Sequence, residues 1–296
     1  VRWVAGAIRC PLSAIRSRTP NGRFRIPERG SPIVVRVAAA CIAVCTLVVA
    51  TAFAAQEGWF GRRERSRQAP PEVSGNTAYD GRFVFVRLEY GSGLSQFQGF
   101  RRGREAPWAH DYPRADVHFM KILDEITLLT PRLDGSNVLS LDDEELFEHP
   151  FAYMSEPGFW QPTDEEVEGL RAYLAKGGFL IFDDFRGSDW YNVEEQMRRV
   201  IPGSRFVDLD GTHPVFHSFF EIDAPLEFVP PYGGEPPRFL GLFEDNDPSK
   251  RLVVVANLNN DLGEYWEFSD TGWVPIDLSN EAYKFGVNYV MYAMTH

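Results

Sequence analysis

The chain has 296 residues and a formal net charge of −12, but residues 1–55 hold eight Arg and one Glu, which leaves −19 on residues 56–296. A domain that acidic lacks the electrostatic footprint of a nucleic-acid binder. The three cysteines, Cys10, Cys41 and Cys45, all lie near the N-terminus, so the remainder has no disulfide and no thiol nucleophile, and Cys-His catalysis is closed to it.

Residues 1–32 begin at Val1, are rich in Arg, Pro and Ser, and show no apolar period. They read as a stretch upstream of a true start near Val34 or Val35; a long basic leader is the alternative, which would favour the cytoplasmic side. Residues 33–55 contain the uncharged run Val37–Ala54, flanked by Arg36 and ending Ala52-Phe53-Ala54. That small-x-small ending fits a cleaved signal peptide. The run also approaches the roughly 18 residues of a membrane span, so an uncleaved anchor is the alternative, holding the chain to the membrane through this segment. Both readings place the rest outside the cytoplasm, periplasmic or secreted. Residues 56–81, with Arg62, Arg63, Arg65 and Arg67 among Gly, Pro and Ser, read as a flexible linker.

Residues 82–296 read as one α/β domain. Phe83–Tyr90 is a strand by its β-branched and aromatic content, followed by Gly91-Ser92-Gly93 and a long loop. Asp111 before Pro113 predicts a cap and a first helical residue for a helix over 114–127. Val138–Leu141 and Phe151–Met154 are short strands. Thr163-Asp-Glu-Glu166 is a capping box opening a helix that Gly177-Gly178 ends. Phe179–Phe182 is a buried strand stopping at Asp183-Asp184. A helix over 193–200, a strand near Phe206-Val207, a buried strand at Leu252–Ala256 and a helix over 281–294 capped by Ser279 complete the chain. Strands alternating with helices up to about residue 208 predict a mostly parallel sheet with helices on both faces.

In such a sheet ligands bind beyond the carboxyl ends of the strands. The residues expected there are Gly91, Ser92, Gly93, His110, Asp111, Tyr112, Ser155, Asp183, Asp184 and Asn257. Asp208, Asp210, Thr212 and His213 follow the 206–207 strand, and Trp190 joins the aromatics that could bind a sugar or simply build a rim. Adjacent strand residues point to opposite faces, so Asp183 and Asp184 are not expected to grip one ion; one caps a turn and the other faces the cleft, or both serve catalysis. His213 and His217 have the i, i+4 spacing of two ligands, but zinc wants three or four, and a His-Pro turn packed by aromatics is the plainer reading. No metal and no cofactor is expected.

Phe85–Tyr90, Trp108–Pro113, Gly177–Asp184 and Thr212-His213-Pro214 together resemble an uncharacterised bacterial family, domain of unknown function 4159, over about residues 82–295. The resemblance implies a flavodoxin-like sandwich similar to class I glutamine amidotransferases. It implies no activity, and the lack of any cysteine where their nucleophile would stand sets glutaminase chemistry aside. Trehalose-utilisation-like proteins share the general plan, so a sugar-related role is an analogy. Two functions follow as expectations. One is a non-catalytic module of the cell envelope that binds a small polar ligand or an envelope protein. The other is a hydrolase of a carbohydrate-like substrate, with Asp183 or Asp184 as base and His213 or Asp111 assisting.

Overall fold

The computed structural model describes residues 75–91 and 106–296. The leader, the signal peptide or anchor, the linker up to residue 74, and Ser92 and Gly93 lie outside them. Among the described residues no helix is long and apolar enough to cross a membrane.

The elements are β1 (Val86–Glu89), α1 (Arg114–Ile126), β2 (Asn137–Ser140), β3 (Phe151–Ser155), α2 (Asp164–Ala175), β4 (Phe179–Phe185), α3 (Asp189–Val200), β5 (Val207–Asp208), β6 (Arg238–Phe243), β7 (Leu252–Leu258), α4 (Leu262–Glu267) and α5 (Ile276–Thr295). The strands form one seven-stranded sheet in the order β2-β1-β3-β4-β7-β6-β5. The first five in that order are parallel. β6 runs antiparallel to β7, and β5 antiparallel to β6.

Strand alternation sorts the core into two layers. Phe151, Tyr153, Phe179, Ile181 and Val255 face α1, α4 and α5. Ala152, Met154, Leu180, Phe182, Val254 and Ala256 face α2 and α3. Each such side chain contributes about 1.5–3 kcal/mol on burial, so the central strands, apolar on both faces, anchor the sheet. The sequence reading of a parallel sheet covered on both sides holds for this part.

Local signals explain several boundaries. Thr163 Oγ1 accepts from Glu166 N at 3.1 Å, and Glu166 Oε2 accepts from Thr163 N at 2.7 Å, closing the expected capping box of α2. Gly177, at φ +108°, ends that helix in the left-handed region glycine favours. Other expectations need correction. α1 starts at Arg114 with Pro113 at the cap position, and no side chain caps it. α5 starts at Ile276, five residues before the expected start, and Ser279 is buried inside it instead of capping it. α3 begins at Asp189 and so takes in Trp190. β6 was not anticipated; its sequence, Arg-Phe-Leu-Gly-Leu-Phe, follows a Pro- and Gly-rich stretch.

The end of the predicted linker is docked. Asn76 exchanges two hydrogen bonds with the backbone of Val138, at 2.6 and 2.8 Å, and Thr77 pairs with the side chain of Asn137. These contacts occupy the outer edge of β2, which would otherwise offer unpaired backbone groups.

Candidate functional site

The carboxyl ends of β1, β3, β4 and β7 point to one edge of the sheet, where the segments following β1 and β7 meet. The segment after β1 is fixed by Arg87, a fully buried arginine on β1. Its guanidinium bonds both oxygens of Asp116, at 3.1 and 2.5 Å, and donates to the carbonyls of Trp108 and His110 at 3.1 and 3.0 Å. Ser136 Oγ donates to the same carboxylate at 2.7 Å. Burial alone would lower the Arg87 pKa, but the Asp116 carboxylate outweighs it and holds the group charged. An arginine in place of an apolar residue in Phe-Val-Phe-Val-Arg-Leu was the available sequence signal for this clamp.

Asp183 and Asp184 are neighbours on β4 with different surroundings. Asp183 is fully buried and surrounded by donors. Tyr153 Oη–H reaches Oδ2 at 2.8 Å, Asn257 Nδ2 reaches Oδ1 at 2.9 Å, and the amides of Leu262 and Gly263 reach Oδ2 at 2.8 and 3.1 Å. Asn257 is held in turn by Tyr289, whose Oη–H donates to Oδ1 at 2.9 Å. Burial raises the Asp183 pKa while these hydrogen bonds oppose the rise. The carboxylate thus joins β3, β4, β7 and the first turn of α4, and its oxygens are already engaged. The expectation that Asp183 acts as a general base is corrected on that ground: it ties down a helix start. Asn257, expected as a ligand contact, is its partner.

The sheet register slips between Phe182 and Phe185, where β4 carries one more residue than β7 opposite it. Asp184 sits in that bulge at φ +56°. A bulge re-aims side chains, and here it turns Asp184 toward His110, whose Nδ1 lies 2.7 Å from Oδ2. His110 Nδ1 is also 3.5 Å from Asp111 Oδ1. Asp111, the residue expected to cap α1, instead has φ +63° and aims its buried carboxylate into the same space. Asp261 completes the group: its Oδ1 caps α4 by accepting from Glu264 N at 2.9 Å, while Oδ2 is buried without a hydrogen-bond partner. One ligand atom each from His110, Asp111, Asp184 and Asp261 falls within 4.8 Å of the others. Asp111 stands in a second such group with Glu264 and Glu267.

Gly263 makes this proximity possible, since a Cβ there would stand 2.4 Å from Asp111 Oδ2 and 3.0 Å from Tyr153 Oη. Neither Asp111 oxygen receives a hydrogen bond from an amide, hydroxyl or cationic side chain among the described residues; its hydrogen-bonding neighbour is the Glu264 carboxyl. Burial, and then the charges of Asp261 and Asp184, push the Asp111 pKa well above the usual carboxylate range. Burial and then Asp184 and Asp183 do the same to Asp261, and burial and then Glu156 and Asp183 to Asp184. Glu264 is raised by burial first, against a hydrogen bond with Tyr232.

Beside the cluster lies a cavity of about 250 Å³ whose lining includes Arg186, Tyr232, Glu235, Asn259, Asn260 and Asp261. Asn260 Nδ2 is buried with no hydrogen-bond partner among the described residues. The Arg186 guanidinium lies 5.1 Å from the centre of the Tyr232 ring.

The remaining sequence candidates are dispersed. Gly91 is exposed, and its carbonyl accepts from Gln161 N at 3.0 Å. Tyr112 packs beside Trp108 and Arg87. Ser155 is buried at the end of β3, where its carbonyl accepts from Tyr90 Oη–H at 2.8 Å. Trp190 packs between Phe185 and Phe206 as part of the α3 layer. His213 sits near Phe243 and Tyr292, where β6 ends and β7 begins, at the opposite edge of the sheet. Its Nδ1 accepts from Val215 N at 3.2 Å. His217 bonds Glu221 and the Gly211 carbonyl, and Asp210 binds Thr212. The i, i+4 histidines are therefore turn residues, and His213 has no part in a site with Asp183 or Asp111. Residues 257–261 and 265–267 read as a stretch that could line this edge, with a polar loop as the plainer reading, so Asp261 was not singled out and Glu264 was missed; Asp261 three residues before Glu264 is the cap spacing that could have revealed α4.

Fold and site together define an α/β domain with a buried acidic cluster at the carboxyl edge of its parallel strands. The chain belongs to the family described as domain of unknown function (DUF4159), whose profile matches residues 84–294. No curated protein matches it.

Proposed function

We propose that the domain is an extracytoplasmic, non-catalytic binding module that takes a small polar ligand in the cavity beside the acidic cluster. The observation that carries this reading is the cavity itself, lined by Arg186, Tyr232, Glu235, Asn259, Asn260 and Asp261. The volume suits a ligand of monosaccharide size, below the usual range for drug-sized molecules. Tyr232 supplies a face for a sugar ring, and Asn259, Glu235 and Arg186 supply polar contacts at the rim.

The strand order supports the location. Its parallel strands, taken in chain order, follow the flavodoxin-like 2-1-3-4-5 pattern, whose ligands lie beyond the carboxyl ends of the strands, and the residues that follow β4 and β7 at those ends line the cavity. The glutamine amidotransferase-like part of this reading rests on the sequence resemblance alone. The leader supplies the argument for an envelope location.

A thermal-shift and calorimetric survey of monosaccharides and small polyols tests the proposal. Binding by one of them, weakened at least about tenfold in Asn260→Leu and Tyr232→Ala, is the expected result. A flat response of the folded protein to the whole panel at millimolar concentration would sink it.

The His110–Asp184 pair at 2.7 Å favours a second reading, a carboxylate- and histidine-dependent hydrolase in which Asp111 is a protonated acid. Turnover of a glycoside panel that disappears in His110→Ala distinguishes it from pure binding.

A further inference from the structure

We infer that His110, Asp111, Asp184 and Asp261 form a site for one divalent cation of the manganese type. The inference goes beyond the cavity ligand and does not depend on it, because the cation is tested alone.

The four residues come from the segments after β1 and β7 and from the bulge inside β4, and they bring one ligand atom each within 4.8 Å of the rest. Their most telling feature is what they lack. Among the described residues, no amide, hydroxyl or cationic side chain hydrogen-bonds either oxygen of Asp111 or Oδ2 of Asp261, and both residues are almost wholly shielded from solvent. Buried charges are normally paired or bound to metal. Arginine does not supply the pairing, and the His110 imidazole lies nearest Asp184, at 2.7 Å, and 3.5 Å from Asp111. Arg87 is occupied by Asp116 and two carbonyls. Arg186 approaches Asp184 only to 3.8 Å, from a side chain that is 59% exposed.

The fold demonstrates in the next residue how it satisfies a carboxylate kept without an ion. Asp183 receives four donors, whereas Asp111 receives no amide or hydroxyl donor among the described residues. Three carboxylates and one imidazole would give a bound divalent ion a near-balanced charge. Oxygen-rich donors suit magnesium, calcium and manganese, and the imidazole shifts the preference toward a first-row ion.

Manganese is the direct probe because free Mn²⁺ has a resolved paramagnetic resonance spectrum that broadens when the ion is bound. Titrating Mn²⁺ into the full-length, chelator-treated chain is expected to suppress the free signal up to about one ion per chain and to raise Tm. Asp111→Asn and Asp261→Asn are each expected to weaken binding at least about tenfold. His110→Gln alters a side chain that is 37% exposed, so it tests the site without emptying the core. It is expected to remove the nitrogen modulation that a coordinated imidazole imposes on the spin echo of the bound ion. A free-ion signal that tracks total Mn²⁺ to millimolar concentration overturns the inference. So does unchanged Mn²⁺ affinity in folded His110→Gln together with either aspartate variant.

Discussion

The surroundings of Asp183 and of Asp111 meet across Gly263 and treat a buried carboxylate in opposite ways. Around Asp183 every approach is filled by a donor, from Tyr153, Asn257 and two amides at the start of α4. Around Asp111 the approaches are filled by other acids, and burial and Asp261 lead the causes that raise its pKa. The first arrangement gives the fold rigidity and leaves little capacity for chemistry. The second spends stability and holds ligand atoms in place, as functional sites commonly do.

The sharpest way to break this contrast is to remove the satisfied carboxylate. Asp183→Ala would strand Tyr153, Asn257 and two buried amides, and a loss of about 5 kcal/mol is expected. Urea denaturation monitored by circular dichroism reads it directly. A loss below about 1 kcal/mol would mean that Asp183 is no structural tie.

Arg87→Leu is next. It leaves Asp116 buried with Ser136 as its remaining side-chain donor and frees the carbonyls of Trp108 and His110. Breaking a buried pair from one side costs about 3–5 kcal/mol. Hydrogen exchange is expected to show lost protection over residues 108–112, which separates a positioning role from a general loss of stability.

The Asp111 side of the comparison predicts the opposite sign. Asp111→Asn keeps the shape and removes one charge from a like-charged cluster, so the metal-free chain is expected to gain about 1 kcal/mol. Denaturation in the presence of chelator checks it. A loss as large as that of Asp183→Ala would erase the distinction between the two environments.

The smallest effect lies at the far edge of the sheet. Burial depresses the His213 pKa below its ordinary value. A depressed histidine contributes stability that is fully present above the unfolded pKa, near 6.5, and lost as pH falls through the folded value. Unfolding free energy measured from pH 7 downward is expected to show this loss. His213→Asn, which keeps a cap acceptor, is expected to flatten it without affecting the acidic edge.

Much of the frame was legible in the chain. The two-sided apolar runs at 179–182 and 252–256, the capping box at Thr163 and the glycine pair at 177–178 each became the element they predict. The site was legible in location and only partly in membership. His110, Asp111 and Asp184 were among the expected residues, yet Asp183 and His213 were grouped with them, and Asp261 and Glu264 were not.

What the sequence by itself determined is periodic or local: which segments are strands buried on both faces, where α2 begins and ends, and that no thiol is available to the domain. Tertiary structure decided everything that depends on pairing at a distance. A one-residue slip against β7 turns Asp184 away from the direction its place in the strand implies. A helix start arriving from residues 262–263 consumes Asp183. The antiparallel return of β6 leaves His213 at the wrong edge. Burial and partners set the behaviour of a carboxylate, and the partners come from distant segments, 30 residues away for Tyr153 and more than 70 for His110, Asn257 and Leu262.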